Sequence, residues 1–231
     1  MGRSERAVYR AFTARPHNDA MRLAIFVLAA LATSATAAWP ASLIVTVRDQ
    51  DGRPVSDAVA TLKSLDAPAR AAPIRFAWPT TVDQRNIKFD PFVLVVPVGA
   101  EVSFPNRDKV RHHVYSFSPV KVFQLKLYGR EESRSVTFDR AGVVPLGCNI
   151  HDQMIGFVDV VDTPWAGKTG ADGETTLQDI PAGRAQLIIW RPYMKSPRNQ
   201  MAINVTMPPA GVARQAVSVV IGAAPARGGH L

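Results

Sequence analysis

From Ser42 onward the chain carries short runs in which apolar, often β-branched residues alternate with polar ones, broken by Gly, Pro and Asp. Such runs predict strands, because side chains on a strand point to opposite faces in turn. Ser42–Arg48 (SLIVTVR) predicts one strand, Asp49–Arg53 (DQDGR) a hairpin turn, and Pro54–Lys63 the returning strand. Ser64–Pro79, rich in Ala and Pro, reads as a linker. Further strands are expected over Phe92–Val96, Ala100–Phe104, His113–Phe117, Ser135–Phe138 and Phe157–Val161. Beyond Thr163, turns over Gly170–Glu174 and Ile180–Gly183 separate strands at Thr175–Leu177 and Ala185–Trp190; Ala202–Met207 and Gln215–Ile221 follow. No stretch after residue 37 has the apolar spacing of an amphipathic helix, so the expected class is all-β, a sandwich or barrel.

Met21–Ala37 (MRLAIFVLAALATSATA) breaks this pattern with a basic residue, an apolar run and a small-x-small end, Ala35-Thr36-Ala37. That is the layout of an export signal, and its apolar run is shorter than the ~20 residues a bilayer needs. Met21 is the expected start, residues 1–37 an extension plus signal, and the mature protein periplasmic with no membrane span. The formal net charge of +8 then falls to +5, because residues 1–37 hold five arginines and two acids. The remaining Lys and Arg are scattered, without the basic stripe and interleaved aromatics of a nucleic-acid surface. One cysteine excludes an internal disulfide.

VTVRDQDGRPVSDAVATL and TGADGETTLQDIPAGRAQLIIW resemble the front and back halves of the carboxypeptidase regulatory-like fold, a small Ig-like β-sandwich. About a hundred residues separate them. The expected organisation is therefore residues 41–65 and 163–221 as the two parts of that sandwich, 84–162 as a second β domain, and 222–231 as a flexible tail. Two separate hairpins within one large sandwich is the plainer alternative.

Candidate chemistry lies in 84–162. GCNIHDQMIG holds Cys148, His151 and Met154 in a Cys-x2-His-x2-Met spacing, and RHHVYSF upstream holds His112 and His113. Taken singly, each has a plain reading: a buried thiol, a core methionine, a surface imidazole. Together they are a soft thiolate and thioether with two imidazoles, the donor set that suits both Cu(I) and Cu(II). Three donors from one tight loop and a fourth from a neighbouring strand would hold a metal against rearrangement. Of the four histidines after residue 37, three fall here.

At this point the segment resembles the cupredoxins, the amicyanin- and plastocyanin-like blue-copper proteins. VVPVGAEVSFPNRDKVRHHVYSF and VTFDRAGVVPLGCNIHDQMIGFVDV carry the two halves of their signature. The tandem layout also resembles proteins labelled methylamine utilization. The resemblance implies a Greek-key sandwich with one type 1 copper on His112, Cys148, His151 and Met154. His113 occupies the position of an Asn that follows the first His ligand in that family, and it stands as the alternative to His112. Leu146 departs from the Tyr or Phe common two residues before the Cys.

The function expected is one-electron transfer through Cu(II)/Cu(I), with an exported redox partner such as a c-type cytochrome or a dehydrogenase. A periplasmic copper carrier or storage protein is the alternative, although no open Met- or His-rich tract is present. A β-sandwich module binding carbohydrate or protein is another, with Trp165, Trp190 and Tyr193 as its aromatics. Catalysis is not expected: a second copper site lacks histidines, since only His230 remains, and no Gly-x-Ser-x-Gly elbow occurs. Asn106 and Asp108 are expected to shape the turn before the His strand.

Overall fold

The computed structural model describes residues 41–66 and 73–223, so the proposed signal and most of the 222–231 tail lie outside the described residues. Among these residues there is no α-helix. The strands, in chain order, are β1 (Ala41–Arg48), β2 (Val59–Ser64), β3 (Asp83–Gln84), β4 (Phe89–Asp90), β5 (Val93–Pro97), β6 (Ala100–Ser103), β7 (His112–Ser118) and β8 (Lys121–Tyr128). They continue with β9 (Ser135–Phe138), β10 (Gly142–Cys148), β11 (Ile155–Val161), β12 (Ala166–Lys168), β13 (Glu174–Ile180), β14 (Gly183–Trp190), β15 (Gln200–Met207) and β16 (Val212–Ser218). The all-β class read from the alternation is the class observed.

Strands from the two ends of the chain share sheets. β13-β1-β16 form one and β12-β2-β14-β15 another. Period-two alternation sends Leu43, Val45 and Val47 of β1 inward to meet Leu62 of β2 and Leu187 and Ile189 of β14, closing an apolar core between the sheets. The middle of the chain builds its own sheet, β5-β11-β10-β7-β8, with the β6-β9 pair closing a second core around Val96, Phe104, Phe138, Val144 and Val158.

The turn expected at Asp49–Arg53 forms, but the returning strand expected over Pro54–Lys63 does not run back along β1. In the turn, the Asp49 N–H donates to the Arg53 carbonyl, and the Asp49 carboxylate accepts from the N–H groups of Asp51 and Arg53. However, β13 and β16 occupy both edges of β1, and Pro54 has no N–H to offer. Past the turn, pairing back to β1 ends with the Arg48–Pro54 bridge and the Val55 N–H donating to the Val47 carbonyl, and the chain crosses to the facing sheet, where β2 pairs with β14. The described end of the expected linker, 73–79, also does more than connect. Phe76 and Trp78 stack with centroids 4.5 Å apart, and Trp78 Nε1–H donates to the Val95 carbonyl at 2.7 Å.

β8 and β10 escape the alternation reading. β8 is an edge strand exposed along much of its length. β10 contains Pro145, which argues against an inner strand. It is tolerated because β10 pairs with β7 only through Gly147 and Cys148, so Pro145 faces no ladder partner on that side. The far face of the five-stranded sheet packs on the four-stranded sheet of the other pair. There Val93, Val95 and Val161 meet Val59 and Trp190, with Phe157 packed alongside.

Candidate metal centre

The end of β10, the start of β7 and the loop from β10 to β11 converge at one end of the five-stranded sheet. Cys148 closes β10 opposite Val114 of β7, two residues from His112. Two backbone bonds fix the loop after it: Asn149 N–H donates to the His113 carbonyl at 3.1 Å, and Met154 N–H to the His151 carbonyl at 2.8 Å. This tight turn returns His151 to the thiol. A Cβ on Gly147 would fall 2.7 Å from the Tyr115 ring, so the glycine lets that ring lie over the strand beside Cys148.

His112, Cys148 and His151 bring their donor atoms within 4.8 Å of one another. Cys148 Sγ lies 3.8 Å from His112 Nδ1 and 3.7 Å from His151 Nδ1. The imidazole rings stand edge to face, centroids 5.0 Å apart. His112 and Cys148 are buried, whereas His151 is half-buried. Met154 is fully buried in the same core cluster as Cys148. His113 is not part of the group: its ring stands against Tyr115, and its buried Nε2 has no hydrogen-bond partner.

The protonation pattern of His112 follows from its other nitrogen. Nε2 lies 2.9 Å from Asp108 Oδ2, and an ionised carboxylate can only accept, so Nε2 carries the proton and the Nδ1 lone pair faces the sulfur. A carboxylate behind a metal-binding histidine fixes its tautomer and ring orientation. Burial opposes ionisation of Asp108, but the Ile87 N–H, the His112 ring and the Asn86 N–H outweigh it and hold the carboxyl below its ordinary range. Burial is also the first influence on His112; it lowers the pKa against the pull of Asp108 and is reinforced by His151, which favours the neutral, ligand-ready ring.

Asp108, which the sequence assigns only to a turn, is the residue that orients His112. Its position four before His112 carries no motif of its own. Its two backbone donors come from a turn distant in sequence, where Asn86 and Ile87 both take positive φ, 55° and 56°, and donate at 2.6 and 3.0 Å. Asn106 does have the structural role expected of it. Fully buried, it donates through Nδ2 to the Val110 and Tyr128 carbonyls and accepts from the Asp108 N–H, holding the loop that presents Asp108.

The donor chemistry fits a copper ion: one thiol, two imidazoles with Nδ1 turned inward and a thioether in the adjoining core, in a largely apolar pocket. No helix among the described residues is long and apolar enough to cross a membrane.

No family model and no curated protein matches the chain. Among solved structures, it is similar to a reduced amicyanin variant at 30% identity, over 44% of this chain and 98% of that one, with a TM-score of 0.34. A Cu(I) amicyanin variant matches at 31% identity over 35% of this chain and 80% of that one, TM-score 0.33. A purple cupredoxin from Nitrosopumilus maritimus matches at 25% identity over 35% and 96%, TM-score 0.32.

Proposed function

We propose that this protein is a one-electron carrier whose middle segment, residues 84–162, holds a single type 1 copper on His112, Cys148, His151 and Met154. The observation that supports this most is the pair of Nδ1 atoms 3.8 and 3.7 Å from one cysteine sulfur, with the remaining nitrogen of His112 committed to Asp108. Copper, when bound, supplies a Cu(II)/Cu(I) couple whose two states favour harder and softer donors respectively. The chain's contribution is rigidity. Cys148 is fixed by the β10–β7 ladder, His112 by Asp108 and His151 by the closed loop, so the donors need not rearrange when the charge changes. Met154 is the fourth donor, delivered by the same loop.

His151 is the half-buried member of the set, and a redox partner would approach there. That partner would be another exported redox protein, such as a c-type cytochrome or a dehydrogenase, because residues 21–37 read as an export signal. Such encounters bury little surface and dissociate quickly. The strands of 41–65 and 163–221 form the accompanying regulatory-like sandwich.

The test is a visible spectrum of the protein titrated with Cu(II), beside Cys148→Ser. An intense thiolate-to-copper band, bleached reversibly by ascorbate and absent from the variant, is the expected result. Copper binding without the band would replace electron transfer by a carrier role using the histidines. No copper binding would end both readings. His113→Ala should keep the band and His112→Ala should lose it; the reverse would exchange the ligand assignment.

A further inference from the structure

The five-stranded sheet has a second side, and a cleft of about 630 Å³ opens there against the four-stranded sheet of the other pair. β11 alternates across the two faces: Val158 and Val160 point into the core that carries the candidate metal site. Phe157 and Asp159 line the cleft, opposite Trp190, Thr61 and Ile188 of the other sheet. Asp159 is only 7% exposed and makes no side-chain hydrogen bond or ion pair among the described residues. Its ladder neighbours are Val143 and Val95, so nothing polar beside it in the sheet compensates the carboxylate.

A buried carboxylate must be protonated or matched by positive charge. The other charged side chains facing the cleft are Lys63 and Asp162, which pair with each other at 3.3 Å, and Arg198, exposed at the mouth. None of them touches Asp159, and burial alone raises its carboxyl to about 7. A divalent metal would need several oxygen donors, and one carboxylate does not supply them. The same cleft is lined by aromatic rings: Phe157 and Trp190, packed edge to face with centroids 5.6 Å apart, share it with the acid. Aromatic faces attract ammonium groups, the more so where water is excluded.

We propose that this inter-sheet cleft is a binding site for a small organic cation, an ammonium group on an apolar body, with Asp159 as its counter-ion and Phe157 and Trp190 as its walls. Arg198 at the mouth selects against cations bearing a second positive charge on that side. The site faces away from the candidate metal centre across the sheet, and binding does not require copper.

The test is calorimetric titration of the whole metal-free protein with n-butylammonium, with n-butanol as the neutral probe of similar shape. Saturable binding of the ammonium, at least tenfold tighter than the alcohol, is expected at pH 8.5. It should weaken about thirtyfold at pH 5.5, where a carboxyl titrating near 7 is almost all protonated while the amine stays charged. Asp159→Asn should abolish binding, and Asp162→Asn should leave it within about twofold. If Asp159→Asn does not fold, the pH profile and the alcohol comparison on the unaltered protein still decide. Equal affinity for the two probes, binding unchanged between the two pH values, retention by a folded Asp159→Asn, or no binding at all would overturn the proposal.

Discussion

The two cores bury polar side chains in opposite ways. In the core between the β1 and β2 sheets, Thr169 is fully used: its hydroxyl donates to the Val55 carbonyl and accepts from the Ala58 N–H. Thr163 likewise donates to Leu62 and accepts from the Trp165 N–H. Each serves the backbone, and nothing is left over for chemistry. In the core around Cys148, the Asp108–His112 bond uses one nitrogen and leaves the other aimed at a sulfur that is itself only near a second imidazole. Buried polar groups normally find partners, and here two imidazole nitrogens converge on one thiol that has a single weak proton to share. Asp159, in neither core, is likewise short of partners among the described residues.

Asp159 carries the largest expected effect on stability. Its carboxyl stands near 7 in the folded protein against an ordinary value of 3.8, so the folded state keeps a proton that the unfolded chain has released between those values. Stability therefore falls as pH rises from about 4 to about 7, by up to about 4 kcal/mol, and levels off above. Denaturant unfolding of the metal-free protein at pH 4.5 and 8, beside Asp159→Asn, measures the change, and the variant should lose this slope. An equal slope in both would mean that Asp159 is solvated.

Leu187, fully buried in the first core, gives the next effect. Leu187→Ala should cost about 3 kcal/mol by removing packing, while leaving the copper–thiolate band unchanged. Cys148→Ser should do the reverse, removing the band and changing metal-free stability by less than about 1 kcal/mol. If Leu187→Ala shifted the band, the two cores would not be independent. Asp108→Ala comes third: Cu(II) affinity should fall roughly ten- to hundredfold as His112 loses its orienting partner, with the band shifted rather than abolished. Unchanged affinity in a competition titration would reduce Asp108 to the turn-shaping role read from the sequence.

Much of this was legible beforehand, for identifiable reasons. Strands such as Ala41–Arg48 declare themselves because one face is core and the other is not, so burial writes a period of two into the residues. Cys148 and His151, which the structure brings together with His112, are legible because one short loop carries them. Pairing partners were less legible. DQDGR turns as its residues demand, yet which strand the chain joins next depends on what already occupies the edges of β1, information held a hundred residues away. Asp108 was hidden for the same reason: its role comes from His112, Asn86 and Ile87 meeting in space, and no spacing encodes that meeting.

The smallest effect tests whether that meeting is maintained against local preference. Ile87 has a branched Cβ and φ of 56°, a backbone region that such residues rarely adopt, yet its N–H reaches Asp108 Oδ2 only in that turn. The flanking residues lock the turn in both directions, Arg85 N–H to the Lys88 carbonyl and Lys88 N–H to the Arg85 carbonyl. Ile87→Gly should relieve the strain and raise metal-free stability by about 1 kcal/mol, since glycine adopts positive φ freely. Because the donated N–H is unchanged, Cu(II) affinity should stay within about twofold. A stabilised variant with intact affinity would show that the residue's conformation, not its side chain, serves the site. A variant that loses affinity would instead place the exposed Ile87 side chain among the groups that hold the His112 end of the centre together.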